Sequence, residues 1–289
     1  RAAEGSVFPP TRAGGSAPAA MPGHRLPPRF APDRDAPGVA LLPRAYHVLD
    51  VIRWRGQWVA STGSVPPRAR AWVGPSPGAL HVGAAQGPRW SYALGYPADA
   101  RDNVWRLTYL VRFRDRLYAG LQDYFGRDPN DLVVFDPPPD GAPLSAAPLR
   151  PLRITPHGGA YTLRWLADRG RLWWLTWERD RRGHLRYTDD GDAWHELPLP
   201  ATAGAPTDLL RWRDGLGLPT ADGLYRLDGG AITRIAEAPT ATSWVRGRRV
   251  TVSHFRFDDA FCAAPLAAWD GALYAGSQRD GSLWRLVAE

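Results

Sequence analysis

The stretch AAWDGALYAGS, at Ala267–Ser277, decides the fold of this chain because its pattern recurs along the sequence. An apolar strand enters a turn of Trp, Asp and Gly, and a second strand rich in Leu and Tyr leaves it. The pattern returns as IRWRGQWVAST, VRFRDRLYAGL, LADRGRLWWLT and LRWRDGLGLPT, at Ile52–Thr62, Val111–Leu121, Leu166–Thr176 and Leu210–Thr220. Alignment of the copies gives spacings of 59, 55, 44 and 57 residues between Trp58, Leu117, Leu172, Leu216 and Leu273. The copies are therefore units of an internal repeat.

A drifting period near 50 residues, built of short strands, is typical of a β-propeller. The sequence predicts an all-β propeller of about five four-stranded blades over residues 45–289, with six blades as the alternative. The last blade has three candidate strands, so its fourth comes from elsewhere in the chain or is absent. Residues 243–261 fit no unit, and are either a long insertion or the remnant of a sixth blade.

Residues 1–44 differ from the repeat region, since they are rich in Pro, Gly, Ala and Arg and show no sustained alternation. Proline cannot donate to a β-ladder, so little of this stretch can be central strand. It is predicted to be an extended N-terminal arm that lies on the domain surface or links it to a larger assembly. Ser6–Phe8 is the candidate for a strand that completes the last blade.

All 36 basic residues are arginine, and with 29 acidic residues they give a net charge of +7. Arginine binds carboxylates and phosphates bidentately, so an anionic partner is favoured. The arginines are dispersed through the repeats rather than clustered on one element, which argues against nucleic acid as the partner. The 14 tryptophans also offer flat surfaces for stacking on sugar rings.

Several classes of protein are excluded. No apolar run approaches the length of a membrane-spanning helix, so no transmembrane segment is predicted. Cys262 is the single cysteine, which excludes an internal disulfide and fits either a cytosolic or a secreted protein. No phosphate loop or nucleophile elbow is present, and no cofactor is predicted.

We predict an extracellular or periplasmic location.

The stretch YTDDGDAW, at Tyr187–Trp194, resembles the Asp-box of the BNR-repeat, sialidase-like propellers. The family pattern is Ser/Thr-x-Asp-x-Gly-x-Thr-Trp, and Asp189, Gly191 and Trp194 match it. The resemblance implies a structural turn between the outer strands of a blade, opposite the active-site face. There Asp189 would accept backbone N–H bonds, Gly191 would allow positive φ and Trp194 would pack between sheets. The chain lacks the Arg-Ile-Pro element of these sialidases, so sialidase activity is not expected.

Propeller geometry brings the loops that enter first strands and leave second strands to one face, around the centre. Polar and aromatic residues at those strand ends are the candidate ligand-binding residues. They are His47, Arg70, Trp105, Gln122, Tyr124, His157, Tyr161, Trp177, Arg179, Gln278 and Arg279.

Two catalytic interpretations of the same face compete with binding. Asp123, Glu178 and Asp259 could include a carboxylate pair for glycoside cleavage, in which one acid protonates the leaving oxygen and the other attacks or activates water. His47, His157 and His254 could converge, but they lack the close spacing of metal ligands, so no metal is predicted.

The sequence thus predicts a non-enzymatic, exported binding protein that recognises a glycan or an acidic protein segment at its central face. A carbohydrate-active hydrolase or lyase that uses the three carboxylates is the first alternative. A structural subunit of a larger assembly, bound through the arm, is the second. Fold alone does not choose among them.

Overall fold

The computed structural model describes residues 47–63, 78–83, 90–95, 104–123, 129–178, 182–255, 266–277 and 281–286. All of these belong to the second of two units into which the chain divides, Ala36–Glu289. The predicted arm at residues 1–44, with its candidate strand, lies outside the described residues. Within the described ranges, no helix has the length and apolar character needed to cross a membrane.

Four groups of four strands follow the predicted repeat, and each is called a sheet below. The first and second are joined at Gly63 and Arg106 into one eight-stranded sheet. The first sheet contains β1 (His47–Trp54), β2 (Gln57–Gly63), β3 (Ala79–Gly83) and β4 (Trp90–Gly95). The second contains β5 (Val104–Phe113), β6 (Arg116–Asp123), β7 (Leu132–Phe135) and β8 (Leu149–Leu152), with a short 3₁₀ turn at Leu144–Ala146. The third contains β9 (Tyr161–Asp168), β10 (Arg171–Trp177), β11 (Gly183–Thr188) and β12 (His195–Leu197). The fourth contains β13 (Leu210–Trp212), β14 (Gly215–Pro219), β15 (Gly223–Asp228) and β16 (Ala231–Glu237). Consecutive strands within each sheet pair antiparallel.

Two smaller sheets complete the described chain. A hairpin of β17 (Thr240–Val245) and β18 (Arg248–Ser253) overlaps the stretch that fits no repeat unit. The last sheet contains β19 (Leu266–Trp269), β20 (Ala272–Gly276) and β21 (Leu283–Arg285), the three strands predicted for it. Because β13 contacts β19 directly, the hairpin does not separate the first strands of the fourth and last sheets.

The turn between first and second strands is a tight two-residue turn in several sheets. Both central residues have positive φ at Arg55–Gly56, at Arg169–Gly170 and at Asp270–Gly271. The type I′ hairpin turn requires positive φ at both positions, and it matches the twist of the flanking strands. Glycine adopts this conformation without steric cost, which explains the recurring Arg-Gly and Asp-Gly pairs.

Apolar clusters hold successive sheets face to face, and β10 shows the arrangement most clearly. Leu172 and Trp174 pack toward the second sheet, whereas Trp173 and Leu175 pack toward the fourth. Because both faces of this strand are buried, its sequence is a continuous apolar run rather than an alternation. Trp174 is fully buried and stacks on Trp165, with ring centroids 5.4 Å apart.

Two carboxylates, of which Asp208 is fully buried, tie the first strands of different sheets together. Asp50 on β1 accepts a hydrogen bond from the backbone N–H of Leu110 on β5, at 2.8 Å. Asp208, just before β13, accepts one from the backbone N–H of Leu266 at the start of β19, at 2.7 Å. These bonds join residues far apart in the chain, so they help to fix the sheets relative to one another.

The predicted Asp-box turn is present between β11 and β12, but its carboxylate is Asp190 rather than Asp189. Asp190 accepts hydrogen bonds from the backbone N–H groups of Asp192 and Ala193, each at 2.8 Å, and from the Thr188 hydroxyl at 3.0 Å. Asp189 is exposed to solvent. The family pattern places one residue between its Asp and its Gly, whereas in this chain the bonding Asp190 directly precedes Gly191.

The other two residues of the box have the expected structural roles. Gly191 has a φ of 91° and its carbonyl accepts a hydrogen bond from the buried Tyr118 hydroxyl of the second sheet, at 3.4 Å. Trp194 packs against Trp165 and Trp174, with ring centroids 6.1 and 5.5 Å away. The box therefore fastens the third sheet to the second.

Candidate functional site

Several of the predicted ligand-binding residues lie along one edge of the first three sheets, which we call the upper edge. There the first strand of each sheet begins and the second strand ends. Strand pairing sets His47 opposite Gly63, Arg106 opposite Gln122, and Tyr161 opposite Trp177. The upper edge thus collects polar and aromatic residues from five strands of three sheets.

Arg106 is central to the upper edge, although the sequence analysis does not select it. Its backbone bridges to Gly63 of the first sheet, and its Nη1 donates to the buried Gln122 side chain at 3.2 Å. Burial lowers the pKa of the Arg106 guanidinium below its usual value, while the Tyr161 and Tyr109 phenols oppose that shift. A cation whose charge is disfavoured by burial is stabilised when an anion approaches it.

Other arginines of the described chain shift in the opposite direction. A hydrogen bond to an aspartate raises the pKa of each of them, and they are Arg116, Arg150, Arg164 and Arg171. Their partners are Asp192, Asp136, Asp208 and Asp189. These four arginines therefore take part in structural ion pairs.

Two aromatic residues lie at the same edge on the third sheet, and the Tyr161 phenol is close enough to Arg106 to influence its pKa. Tyr161 on β9 and Trp177 on β10 occupy opposing positions in the register, and both are partly exposed. Aromatic rings of this kind stack on sugar rings and on planar charged groups. The upper edge therefore combines a cation, an amide and two aromatic side chains.

His157 lies on an exposed loop that a buried carboxylate anchors. Asp131 accepts hydrogen bonds from the backbone N–H groups of Ile154, Thr155 and Ala160, at 2.7, 2.7 and 2.9 Å. One side chain thus satisfies backbone donors on both sides of the loop. Since this loop leads into β9, it holds His157 at the upper edge.

Glu178, a predicted catalytic candidate, belongs to an ion-pair network. Arg186 Nη1 lies 2.5 Å from Glu178 Oε1, and Arg186 Nη2 lies 2.7 Å from Glu196 Oε2. His184 lies between the same glutamates, 2.8 Å from Glu196 and 3.8 Å from Glu178. Because Arg186 is buried, both carboxylates neutralise a cation that would otherwise destabilise the sheet. Sequence reasoning missed this structural role.

A cleft of about 540 Å³ lies beside the network, lined by Arg182, His184, Glu196 and the segment Leu197–Pro200 among others. Burial raises the pKa of Glu196, but the His184 hydrogen bond and the Arg186 charge together lower it further, so its pKa lies below the usual value. The cleft therefore presents an ionised carboxylate rather than a proton donor.

The remaining predicted site residues are distributed as follows. His47, Trp105 and Asp123 lie in β1, β5 and β6. His254 is buried after β18, with its Nδ1 2.9 Å from Ser277 Oγ. Six residues lie outside the described ranges: Arg70, Tyr124, Arg179, Asp259, Gln278 and Arg279. The carboxylate pair for glycoside cleavage therefore stays a prediction. In the part of the chain that is described, no three His, Cys, Asp or Glu side chains are arranged to hold a metal ion.

No protein-family model matches the sequence, and no curated protein matches it. Among solved structures, the extracellular domain of a one-component system from B. thetaiotaomicron is similar, with a TM-score of 0.50 and 13% identity over 84% of this chain and 26% of that chain. Virginiamycin B lyase from Staphylococcus aureus has a TM-score of 0.45 and 10% identity, over 82% of this chain and 68% of that chain. Trypanosoma rangeli sialidase has a TM-score of 0.43 and 13% identity, over 84% of this chain and 53% of that chain.

The first of these similarities, together with the repeated four-stranded antiparallel sheets, confirms the predicted all-β propeller fold. The chain spans about a quarter of the length of that solved chain. At this level of identity the likeness concerns the fold alone.

Proposed function

We propose that this chain is a non-enzymatic binding protein that recognises a carboxylate-bearing ligand, an acidic protein segment or an acidic glycan, at the upper edge. The observation that carries the proposal is the position of Arg106, held by Gln122 beside Tyr161 with its pKa lowered by burial.

The chemistry of the upper edge matches such a ligand. A guanidinium group binds a carboxylate through two parallel N–H···O bonds, which are stronger than neutral hydrogen bonds. The Gln122 contact orients the Arg106 group, so less side-chain freedom is lost when the ligand binds. Tyr161 and Trp177 supply rings that would pack on a sugar or on an apolar part of a peptide.

The charge of the whole chain supports the same ligand class. A net charge of +7 attracts anions over several ångströms and speeds their association. This attraction is screened by salt, so we expect affinity to fall as ionic strength rises.

The enzymatic alternative has less support at Glu178. Cleavage by paired carboxylates needs two acids roughly 5 to 9.5 Å apart, around space for the sugar and water. Glu178 is instead bound to the buried Arg186. The proposed role is therefore recognition rather than hydrolysis.

Two further parts of the proposal concern the setting of the protein. We place it outside the cytoplasm, as is the B. thetaiotaomicron domain named above, and we assign residues 1–44 a tethering role in an assembly. Cell fractionation tests the location, and pull-down with and without residues 1–44 tests the tether. A cytoplasmic chain, or equal recovery of partners by both forms, would contradict these assignments.

Binding is tested with arrays of acidic peptides and acidic glycans, followed by titration of the best ligand from each. Arg106→Gln removes the charge and keeps a hydrogen-bonding side chain. We expect affinity to fall about 10- to 100-fold, the value of one charge-assisted contact. The array itself distinguishes the two sources of carboxylate.

Arg112→Gln is the matched control, because Arg112 is an exposed arginine at the other end of the same strand, β5. It should bind as the parent protein does. Equal losses in the two variants would show that net charge alone drives binding, and no binding on either array would overturn the proposal.

A further inference from the structure

A cavity of about 180 Å³ lies between the fourth sheet and the last sheet, and the upper-edge proposal does not use it. Its described walls are mainly apolar, with Leu224 from the fourth sheet facing Leu266 and Leu273 from the last. Three aromatic residues also line it, and they are Phe255, Tyr274 and Trp284. The cavity therefore has the lining of a site for an apolar ring.

Short side chains on both walls leave space at this junction. Ala275 lies two residues after the aligned Leu273. The same position holds Leu218 in the fourth sheet and Trp174 in the third, whereas it holds alanine, Ala60 and Ala119, in the first two. Both of those larger side chains are completely buried and fill the space between neighbouring sheets. Ala275 is buried as well, but it ends at its methyl group, and Ala236 on the opposite wall is equally short.

The side chains that line an unfilled apolar cavity lose packing contacts. Protein interiors are packed as closely as organic crystals. The loss of stability therefore grows with the volume that is left unfilled. Apolar cavities near 150 Å³ stay dry and bind small ring compounds such as benzene. A cavity lined by leucines and aromatic rings therefore gains contact energy when an aromatic molecule enters.

We propose that this junction is a second binding site, which takes a small aromatic molecule about the size of indole. Glu237 and Arg285 also line the cavity, and both are exposed, so a polar substituent on the ring would reach solvent there. The site is independent of the carboxylate site at the upper edge.

The test is a titration of the full chain with 5-fluoroindole, followed by fluorine NMR and by the shift in melting temperature. Saturable binding is expected. Ala275→Leu, which copies Leu218, should weaken binding by about tenfold or more because it fills the cavity. The same variant should melt at a higher temperature than the parent when no ligand is present.

Three variants complete the test. Ala268→Leu changes an exposed residue of the same sheet and should leave the affinity unchanged, as should Arg106→Gln at the upper edge. Ala236→Val fills the cavity from the opposite wall and replaces Ala275→Leu if that protein does not fold. An absence of saturable binding to the parent, or parent-like affinity in a folded cavity-filling variant, would overturn the proposal.

Discussion

Arg164 of the third sheet and Asp208 of the fourth form a bidentate ion pair, with Nε 2.6 Å from Oδ1 and Nη2 3.0 Å from Oδ2. Asp208 is fully buried and also accepts hydrogen bonds from the backbone N–H groups of Leu209 and Leu266. One carboxylate thus connects three sheets.

Asp208→Asn should lower the free energy of unfolding by about 2 kcal/mol or more, because it leaves the partly buried Arg164 without its counter-charge. Urea unfolding followed by tryptophan fluorescence measures the loss. Asp189→Asn is the control, since Asp189 has the same bidentate geometry with Arg171 but is exposed, and it should change stability little. Similar losses in the two variants would contradict the role assigned to Asp208.

Trp174→Ala should be among the most damaging substitutions, with a loss of about 3–5 kcal/mol. Trp174 is completely buried between the second and third sheets and donates a hydrogen bond to the Thr162 hydroxyl at 2.9 Å. Trp269→Ala provides the comparison, because Trp269 is 71% exposed. Thermal unfolding of both variants should show a large shift for the first and a small one for the second.

Gly191→Ala should destabilise the protein more than Gly170→Ala does. Both glycines have positive φ, so each substitution costs about 1–2 kcal/mol of backbone strain. A Cβ on Gly191 would also lie 2.2 Å from the buried Tyr118 hydroxyl oxygen, whereas one on Gly170 would meet open space. The additional Tyr118→Phe change should recover part of the Gly191→Ala loss, and equal unfolding midpoints for the two alanine variants would refute this account.

Asp190 should make a contribution to stability that acid removes. Hydrogen bonds from the backbone N–H groups of Asp192 and Ala193 lower the pKa of Asp190 to about 2, from 3.8. The folded chain therefore holds this proton more weakly than the unfolded chain, so the stabilisation is present above about pH 4 and is lost toward pH 2.

The measurement compares unfolding free energies of the parent and Asp190→Asn across pH 2–6. The difference between them should be constant above about pH 4 and shrink below it. A difference that stays constant down to pH 2 would mean that the carboxylate charge has no role in the turn.

The strands could be predicted because their signals are local. Each repeat unit carries its apolar run and its two-residue turn within about a dozen neighbouring residues, and φ at pairs such as Asp270–Gly271 depends on those residues alone. The recurring strand–turn–strand stretches of the first four units form the pairs β1–β2, β5–β6, β9–β10 and β13–β14. Local sequence is not sufficient even in the Asp-box. Alignment with the family pattern selects Asp189 as the carboxylate of the turn, whereas Asp190 accepts its backbone hydrogen bonds.

The chemistry of the site depends on partners that are distant in the chain. From the sequence alone, Glu178 is a candidate catalytic carboxylate. In the folded chain, the pairing of β10 with β11 places Arg186 against it. The sequence does not distinguish Arg106 from the rest of its 36 arginines. Its backbone bridge to Gly63 and its contact with Gln122 place it at the upper edge.

The amino-acid order was enough for the propeller and its repeating turns, because both follow from short-range periodicity and backbone conformation. Which charged groups pair with each other and where a cavity remains are decided only by the folded chain. Those properties depend on burial and on distances between residues of different sheets, and no short stretch of sequence encodes them.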